Sequence, residues 1–343
     1  MSAQYEALAT KARAMYGRRL RRAELARIAR LGSVQEVLAE LCQQPAWAQA
    51  AQALAGEPLV TRARLEDALR GQVRQEGLRL ASFLPQKDWP LMDFPVRRAE
   101  LERILAALRR LHARLYRETE ELPRAYVSRA GVDLEKLRQC TDFNGLVDAT
   151  QGSIFHDALN RLRAGETLPD YGITEALLWS VYYRYTLQLV ARRYAGDTRR
   201  LLEQSVGSQV DMLNIMNILR MKQYFPEEDD FLPVLLPNHY KVRPEQIRAM
   251  CSAPTAQAVM EMVEATPYAS AFRGAAPEEL QNRYGAVLYQ LSRRQLRMGK
   301  PSAYTAVAYL NLRELELRAV VSAVETVKYQ QDLNPALLEF LDD

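Results

Sequence analysis

The chain has 343 residues, of which 48% are hydrophobic and 26% are charged, values typical of a globular protein that folds in water. A net charge of only +4 gives no indication of nucleic-acid binding, and the lack of any run of eighteen apolar residues argues against a transmembrane helix. The amino terminus has no apolar stretch of the kind that a secretory signal needs, so we expect no signal peptide. The three cysteines lie about a hundred residues apart, which fits neither a disulfide framework nor a metal site and indicates a reducing cytoplasm.

The first part of the chain predicts two long helices separated by short ones, because apolar residues recur there at helical spacing. Ser33 and Thr61 are good N-caps for the helices that follow them. Three prolines within residues 84–96 then interrupt the pattern and mark the first module boundary. The helices predicted here cover residues 5–20, 24–31, 34–42 and 61–83.

The remainder of the chain continues in the same way. Gly196 and Asp197 mark a second boundary, and no segment alternates with the period of two that a strand requires. We therefore predict an all-α fold without a sheet. The helices predicted here cover residues 97–122, short pieces within 133–163, then 174–194, 205–225, 244–251, 255–265, 277–298 and 302–329.

An internal repeat relates distant parts of the chain. Seven residues between Leu25 and Pro45 have counterparts of the same class 222 residues later, without a gap. A third copy fits at about half that interval, since Leu137 and Phe143 lie 112 residues after Leu25 and Leu31. Such periodicity predicts three similar helical modules. We place these modules at residues 1–95, 96–204 and 205–343.

The segment 205–225 is apolar on nearly every side except for one narrow polar row. Asp211, Asn214 and Asn217 follow one another at i+3 along this row. A helix of this kind belongs in a protein core, where an unpaired polar group costs about 1–3 kcal/mol. We therefore expect the three side chains to be satisfied by neighbouring segments.

The last predicted helix places two charges on an otherwise apolar face. Arg313 and Glu316 need partners there because a lone buried charge is costly. Glu314, in contrast, belongs to a solvated face together with Arg318.

Two kinds of partner are open to this charged pair. Arg313 and Glu316 can pair with each other at i+3, or with Arg220 or Asp211 of the segment 205–225. The pair that we would test first is Arg220 with Glu316.

Catalytic motifs are missing from the sequence. It contains no Walker loop, no GxGxxG and no nucleophile elbow, and its three histidines do not have ligand spacing. The acidic run at 227–230 is read as a solvated loop. We therefore expect no enzyme activity, no cofactor and no metal, and periodicity alone leaves open a helical-repeat scaffold for an unrelated protein or RNA.

Three segments together resemble the signature segments of the family formed by the C subunits of V-type (archaeal/vacuolar-type) ATPases, whose eukaryotic members are the d subunits. The likeness extends over essentially the whole chain, and its motifs are specific as an ordered set rather than singly. The segments are Tyr5-x-x-Leu8-x-x-Lys11-x-Arg13-Ala14-Met15, Asp211-x-x-Asn214-x-x-Asn217-x-Leu219-Arg220-x-Lys222, and Tyr309-Leu310-x-x-Arg313-Glu314-x-Glu316-Leu317-Arg318.

The resemblance implies a funnel of three similar helical modules in pseudo-threefold arrangement. It implies a non-catalytic monomer, one copy per complex, that joins the central stalk to the proteolipid ring and couples ATP turnover to H⁺ or Na⁺ transport. Membrane contact would be peripheral, on the cytoplasmic face and through the ring. The structural or interface candidates are Asp211, Asn214, Asn217, Arg220, Tyr309, Arg313, Glu314 and Glu316.

Overall fold

A computed structural model describes residues 3–113, 131–164, 168–225, 232, 235–276, 279–332, 337–338 and 341 of the chain. Within these ranges all regular secondary structure is α-helix or 3-10 helix and no strand occurs, which confirms the predicted all-α class. The predicted end of the helix 97–122 and the acidic run at 227–230 lie outside the described residues.

Long helices alternate with groups of short ones. Two short 3-10 segments, Gln86–Met92 and Leu162–Ala164, complete the regular structure of the described residues. The α-helices are α1 (Ala3–Tyr16), α2 (Arg22–Ile28), α3 (Val34–Gln43), α4 (Ala48–Gln52), α5 (Arg62–Ala81), α6 (Asp93–Ala113), α7 (Leu134–Gln139), α8 (Phe143–Ala149), α9 (His156–Arg161), α10 (Tyr171–Arg193), α11 (Gly196–Tyr224), α12 (Pro244–Cys251), α13 (Ala256–Val263), α14 (Ala269–Phe272), α15 (Leu280–Met298) and α16 (Tyr304–Tyr329).

The chain divides into two compact units. The first comprises residues 1–89 together with 282–343, and the second comprises residues 90–281. The three-module division at residues 95 and 204 stays a prediction.

Helix α16 is the centre of the first unit. It packs against α5 most extensively and also contacts α1, α2 and α3. Sixteen of its 26 residues are buried, so the helix is surrounded on most sides. Trp47, Tyr304 and Tyr309 are the largest fully buried side chains around it.

In the second unit, α10 packs against both α6 and α11, and short helices cover these long ones. The buried core includes Tyr182 and Tyr183 of α10, whose rings lie 5.2 Å apart in an edge-to-face arrangement. Leu101 and Leu108 of α6 belong to the same core.

Short helices occur in three groups of the same order: α2–α3–α4, α7–α8–α9 and α12–α13–α14. The middle helix of each group starts with a side-chain N-cap, which satisfies a backbone N–H that the helix itself leaves unpaired. Ser33 Oγ accepts from Glu36 N at 3.2 Å, Asp142 Oδ1 from Gly145 N at 2.7 Å, and Thr255 Oγ1 from Ala258 N at 3.1 Å. The predicted cap at Ser33 is confirmed.

Two predicted helix starts are wrong. Helix α6 begins at Asp93, because Pro95 falls in its first turn, where a missing N–H costs no hydrogen bond. Helix α11 begins at Gly196 rather than near 205, since Gly196 itself takes a positive φ of 56° and Asp197 supplies an acidic first-turn residue.

Gly207 of α11 offers a test of the packing. A Cβ at this position would lie 2.5 Å from Cγ of Tyr240, so Gly207→Ala should destabilise the protein by about 1–3 kcal/mol. Helix propensity alone predicts the opposite sign, a gain of about 0.5–1 kcal/mol. The midpoint of urea unfolding of Gly207→Ala, compared with the wild type, distinguishes a loss of stability from a gain.

Gly77 of α5 is the matched control. A Cβ there meets Leu310 Cδ2 at 3.4 Å, an ordinary contact, so Gly77→Ala should leave the midpoint unchanged or raise it. An equal rise for Gly207→Ala would contradict the close approach of Tyr240.

Candidate functional site

Arg313 of α16 is the hub of a buried ion-pair network in the first unit. Its Nε donates to Glu76 Oε2 at 2.8 Å and its Nη1 to Glu316 Oε2 at 2.9 Å. Its Nη2 donates to the backbone oxygen of Ala46 at 3.0 Å and to Glu76 Oε1 at 3.2 Å. The guanidinium also lies 3.9 Å from the centre of the Trp47 ring, a cation–π contact.

The Glu316 carboxylate reaches the first helices of the chain. Its Oε1 accepts from the backbone N–H of Leu20 and from the indole Nε1–H of Trp47, both at 3.0 Å. Arg313 and Glu316 are each 2% exposed, so these bonds are shielded from water. The carboxylate therefore ties the last helix to the segment that precedes α2.

Glu76 of α5 is the second carboxylate of the network. Besides Arg313, it accepts from the hydroxyl of Tyr309 at 2.7 Å and from Nε2 of Gln72 at 2.9 Å. Gln72 in turn donates to the Ala46 oxygen and accepts from Ala50 N, so α5 also fixes the start of α4.

The charge states follow from these contacts. Burial opposes the charge of Arg313, but the neighbouring Glu316 and Glu76 raise the pKa of the guanidinium well above its ordinary value. Burial also raises the pKa of the Tyr309 hydroxyl, although Arg313 works in the other direction. Tyr309 therefore remains a neutral hydrogen-bond donor to Glu76.

The structure decides between the partners foreseen for the charged pair. Arg313 and Glu316 pair with each other at i+3, as one of the predicted alternatives had it. The prediction that Arg220 pairs with Glu316 is wrong, because Glu316 is buried among its own donors whereas Arg220 is exposed. Glu314 is exposed, as predicted for a solvated face.

In the second unit, Asp211 of α11 binds the loop that leads into α12. Its Oδ1 accepts from Tyr240 N at 2.8 Å, and its Oδ2 from Lys241 N at 2.7 Å and Val242 N at 3.1 Å. The hydroxyl of Tyr268 donates to Oδ2 at 2.8 Å. Four donors thus compensate the burial of this carboxylate.

Asn214, three residues further along α11, holds the preceding part of the same loop. Its Nδ2 donates to the Leu236 oxygen at 2.9 Å, and its Oδ1 accepts from Leu236 N at 2.8 Å. The side chain therefore pairs with one backbone unit as a neighbouring strand would. Asp211 and Asn214 are thus satisfied by neighbouring segments, as the polar row predicted.

A further buried carboxylate repeats this arrangement. Glu100 of α6 is 1% exposed and accepts from the backbone N–H groups of Gly131 and Val132, the latter at 3.2 Å. Arg97, three residues before it, donates to both of its oxygens at 2.9 Å. The same Arg-x-x-Glu pattern occurs at Arg313 and Glu316.

Glu316, Glu100 and Asp211 accept hydrogen bonds from residues at equivalent positions of the internal repeat. Val132 and Val242 lie 112 and 222 residues after Leu20, the intervals that relate the predicted modules. Each of the three residues is buried, and each donates its N–H to a carboxylate on a long helix. The residues that the sequence repeat relates are therefore also alike in the hydrogen bond that their N–H groups make.

An aromatic residue precedes the third short helix in each group. Trp47, Phe155 and Tyr268 are the N-cap residues of α4, α9 and α14, and all three are buried. Trp47 and Tyr268 donate to the carboxylate of their group. Phe155 has no donor, and in that group Arg97 supplies charge-assisted hydrogen bonds instead.

Asn217 and Arg220 continue the polar row of α11 but have a different environment. Both line a groove between α10 and α11, to which Leu236 of the loop also contributes. Asn217 is half-buried and Arg220 is exposed. The prediction that the whole row is satisfied internally is therefore confirmed only for its first two members.

Sequence reasoning missed three members of these networks: Glu76, Glu100 and Trp47. Glu100 shares the Arg-x-x-Glu pattern of Glu316, but the same pattern occurs at Arg21–Glu24 and Arg200–Glu203, where the carboxylate is not buried, so the pattern alone does not identify it. Glu76 lies in the strongly polar sequence Arg-Gln-Glu-Gly, where nothing distinguishes a buried carboxylate from an exposed one.

These observations define an all-helical protein of repeated design, whose buried charges hold its elements together. Among the residues that the structure describes, no cluster of three or more His, Cys, Asp or Glu side chains could hold a metal ion. None of the described helices is long and apolar enough to cross a membrane.

Comparison with known proteins identifies the family. A family model described as ATP synthase (C/AC39) subunit matches residues 8–333, and the chain therefore belongs to this family. The resemblance to the C subunits of V-type ATPases is thereby confirmed, and the chain is a subunit of the V/A-type ATP synthases. Membership in this family disfavours the alternative of an unrelated scaffold.

Three archaeal relatives are named as C subunits of A-type ATP synthases. The protein from Methanosphaera stadtmanae is 25% identical over 274 residues, which cover 78% of this chain and 67% of that protein. The one from Methanobrevibacter smithii is 27% identical over 219 residues, 59% of this chain and 54% of the relative. The match to the Archaeoglobus fulgidus protein is 23% identical over 134 residues, 39% of this chain and 36% of the relative.

Removing the Glu316 carboxylate should destabilise the first unit strongly. Glu316→Ala leaves Leu20 N and the Trp47 indole without their acceptor and leaves Arg313 with one carboxylate, so we expect a loss of about 3–5 kcal/mol. Thermal unfolding followed by circular dichroism measures the loss. Glu314→Ala, two residues away and exposed, is the control and should melt as the wild type does.

Proposed function

We propose that this chain is a non-catalytic subunit of the central stalk of a V/A-type ATP synthase. In this role it is a socket that joins the soluble stalk to the membrane proteolipid ring, as one copy per complex on the cytoplasmic face. Through it, rotation driven by ATP turnover is coupled to the transport of H⁺ or Na⁺. The observation that carries the proposal is the family match along residues 8–333.

The internal contacts support a mechanical role. A part that transmits torque must resist deformation, and close-packed interiors have low compressibility. In the first unit, Arg313 joins α16 to α5 through Glu76 and to the start of α4 through the Ala46 oxygen. In the second, Asp211 and Asn214 fix a loop of otherwise irregular backbone onto α11. Both sets of contacts oppose sliding of one element along another.

The use of the buried carboxylates supports a structural rather than a chemical role for them. Glu76, Glu316, Glu100 and Asp211 accept hydrogen bonds from fixed donors inside their own unit. A general acid or base needs instead a proton that it can exchange with a substrate. We therefore propose that these carboxylates stiffen the fold and take no part in proton transfer.

The proposal can be tested by co-purification and by coupling. Tagged chain recovered from detergent-solubilised membranes should bring down stalk subunits and the proteolipid ring, because the chain would contact both. Membrane vesicles stripped of the chain should still hydrolyse ATP through the catalytic subunits but should lose ATP-driven ion uptake. Adding back the wild-type chain should restore uptake.

Three results would contradict the proposal. One is recovery of the chain alone under conditions that keep the complex intact. Another is full ion uptake by vesicles that lack the chain. The third is ATP hydrolysis by the homogeneous chain that is abolished by point mutations within it.

A further inference from the structure

Helices α1 and α15 pack side by side in the first unit. Nε of Arg13 on α1 donates to the backbone oxygen of Leu296 on α15 at 2.8 Å, and the hydroxyls of Tyr16 and Tyr289 lie 3.2 Å apart. These contacts join the carboxyl-terminal halves of the two helices. The side chains that these halves expose therefore belong to one surface.

This surface carries charge of one sign. Residues 7–19 and 284–312 contain eight basic residues and no acidic one, although Asp and Glu make up 42 of the 343 residues of the chain. Two of the eight are half-buried and six are exposed. The exposed residues, which we call the basic surface, are Lys11, Arg13, Arg18, Arg294, Arg297 and Lys300.

The carboxylates closest in sequence leave this charge in place. Glu6, the single acidic residue of α1, makes no ion pair within the described part of the chain. Glu24 accepts from Arg21 N at 2.7 Å and so serves the start of α2. Arg294 and Lys300 likewise make no hydrogen bond or ion pair with the described residues through their side chains.

The exposed carboxylate of the next helix lies beside another face of α15. Ser292 of α15 contacts Asn311 of α16, at 3.4 Å between Oγ and Nδ2, and Glu314 follows Asn311 by one turn. At about 100° per residue, Arg294 lies roughly 200° around α15 from Ser292. Arg294 therefore faces away from α16 and its Glu314.

Two apolar side chains accompany the charges. Val287 is 42% exposed and Met298 is 84% exposed, and both share the face of α15 that Arg294 occupies, because they lie seven residues before it and four after it. No exposed Trp, Phe or Leu occurs on α1 or α15 among the described residues. Surfaces that insert into a membrane use such residues, and surfaces that bind single-stranded nucleic acid use aromatic ones.

From this arrangement we infer that the basic surface binds an acidic protein surface, rich in Asp and Glu side chains, on a neighbouring subunit. Charge complementarity selects this occupant, because the basic surface offers cations and no carboxylate. Four of its six residues are arginines, whose forked guanidinium pairs with carboxylates. The inference rests on the proposed function, since it requires a partner within the ATP synthase.

Charge reversal tests the pairing. Arg294→Glu combined with Lys300→Glu should weaken assembly at least about tenfold, measured by titrating the chain into a complex purified without it, because the partner's carboxylates would then meet like charges. Added salt should weaken assembly of the wild type, and it should weaken assembly of the double variant less.

Arg192→Glu combined with Arg193→Glu is the matched control for charge. It changes the net charge by the same amount, at exposed residues in the last turn of α10. Both pairs lie at or just beyond a helix carboxyl end, so the loss of favourable interaction with the helix dipole is similar. The control should assemble as the wild type does.

Thiol labelling tests whether a partner covers the surface. A cysteine introduced by Met298→Cys should react rapidly in the isolated chain and at least about tenfold more slowly in the assembled complex. The native thiols give a slow background, because Cys140 and Cys251 are buried and burial raises the pKa of the Cys42 thiol. Ala191→Cys, exposed on α10, should react equally in both states.

The outcomes separate this inference from the proposed function. If the wild-type chain joins the complex but Met298→Cys stays reactive and the Arg294 and Lys300 double variant assembles normally, only the inference is overturned. It is also overturned if Met298→Cys is protected by vesicles of equal parts phosphatidylcholine and phosphatidylglycerol but not by the complex, since lipid would then be the occupant. If the wild-type chain fails to join the complex at all, the proposed function falls first and the inference falls with it.

Discussion

The structure depends on buried carboxylates that accept backbone N–H groups from the loops before the short helices. Burying an ionised carboxylate is unfavourable unless several donors replace its water. Asp211 has three backbone N–H donors and a tyrosine hydroxyl. Glu100 has two backbone N–H donors and Arg97. Glu316 has one backbone N–H donor, the Trp47 indole and Arg313. Because hydrogen bonds to charged groups contribute about 1.5–3 kcal/mol, each carboxylate fixes the register of its loop on a long helix.

The three carboxylates differ in where they lie in the chain relative to the loop that they hold. Glu100 and Asp211 precede the loops that they hold, whereas Glu316 follows Leu20 by 296 residues. The amino-terminal short helices therefore lack their carboxylate until the last long helix is made. This long-range contact explains why both ends of the chain belong to one compact unit. A fold closed in this way suits a component that bears load, as proposed for the stalk.

Much of this design could be predicted from the sequence. Helical periodicity gave the long elements, and a gap-free register of 222 residues revealed the repeat, because equivalent helices bury equivalent faces. Two charges on the apolar face of α16 required a buried pair, and their i+3 spacing allowed the pairing that the structure shows. The polar row of α11 likewise required partners for Asp211 and Asn214.

Other features depended on tertiary contacts that periodicity does not encode. The partner of Arg313 on α5, Glu76, lies in a strongly polar stretch of that helix, where nothing in the sequence separates a buried carboxylate from an exposed one. The row of α11 drifts around the helix, so Asn217 and Arg220 leave the face that Asp211 and Asn214 occupy, and this drift is why a pairing of Arg220 with a buried residue failed. A sequence pattern identifies which groups need partners, but the packing of separate helices decides which partners they find.

Hydrogen exchange at the three loops tests most directly whether the carboxylates hold them. Glu100→Ala should speed amide exchange in the peptide containing Gly131 and Val132, and Asp211→Ala should do so in the peptide containing residues 240–242. Glu316→Ala should do so at Leu20. The account predicts that each variant loses protection first at its own loop, under conditions where the protein remains folded. Unchanged exchange at the matching loop, or an equal loss at all three loops in every variant, would contradict it.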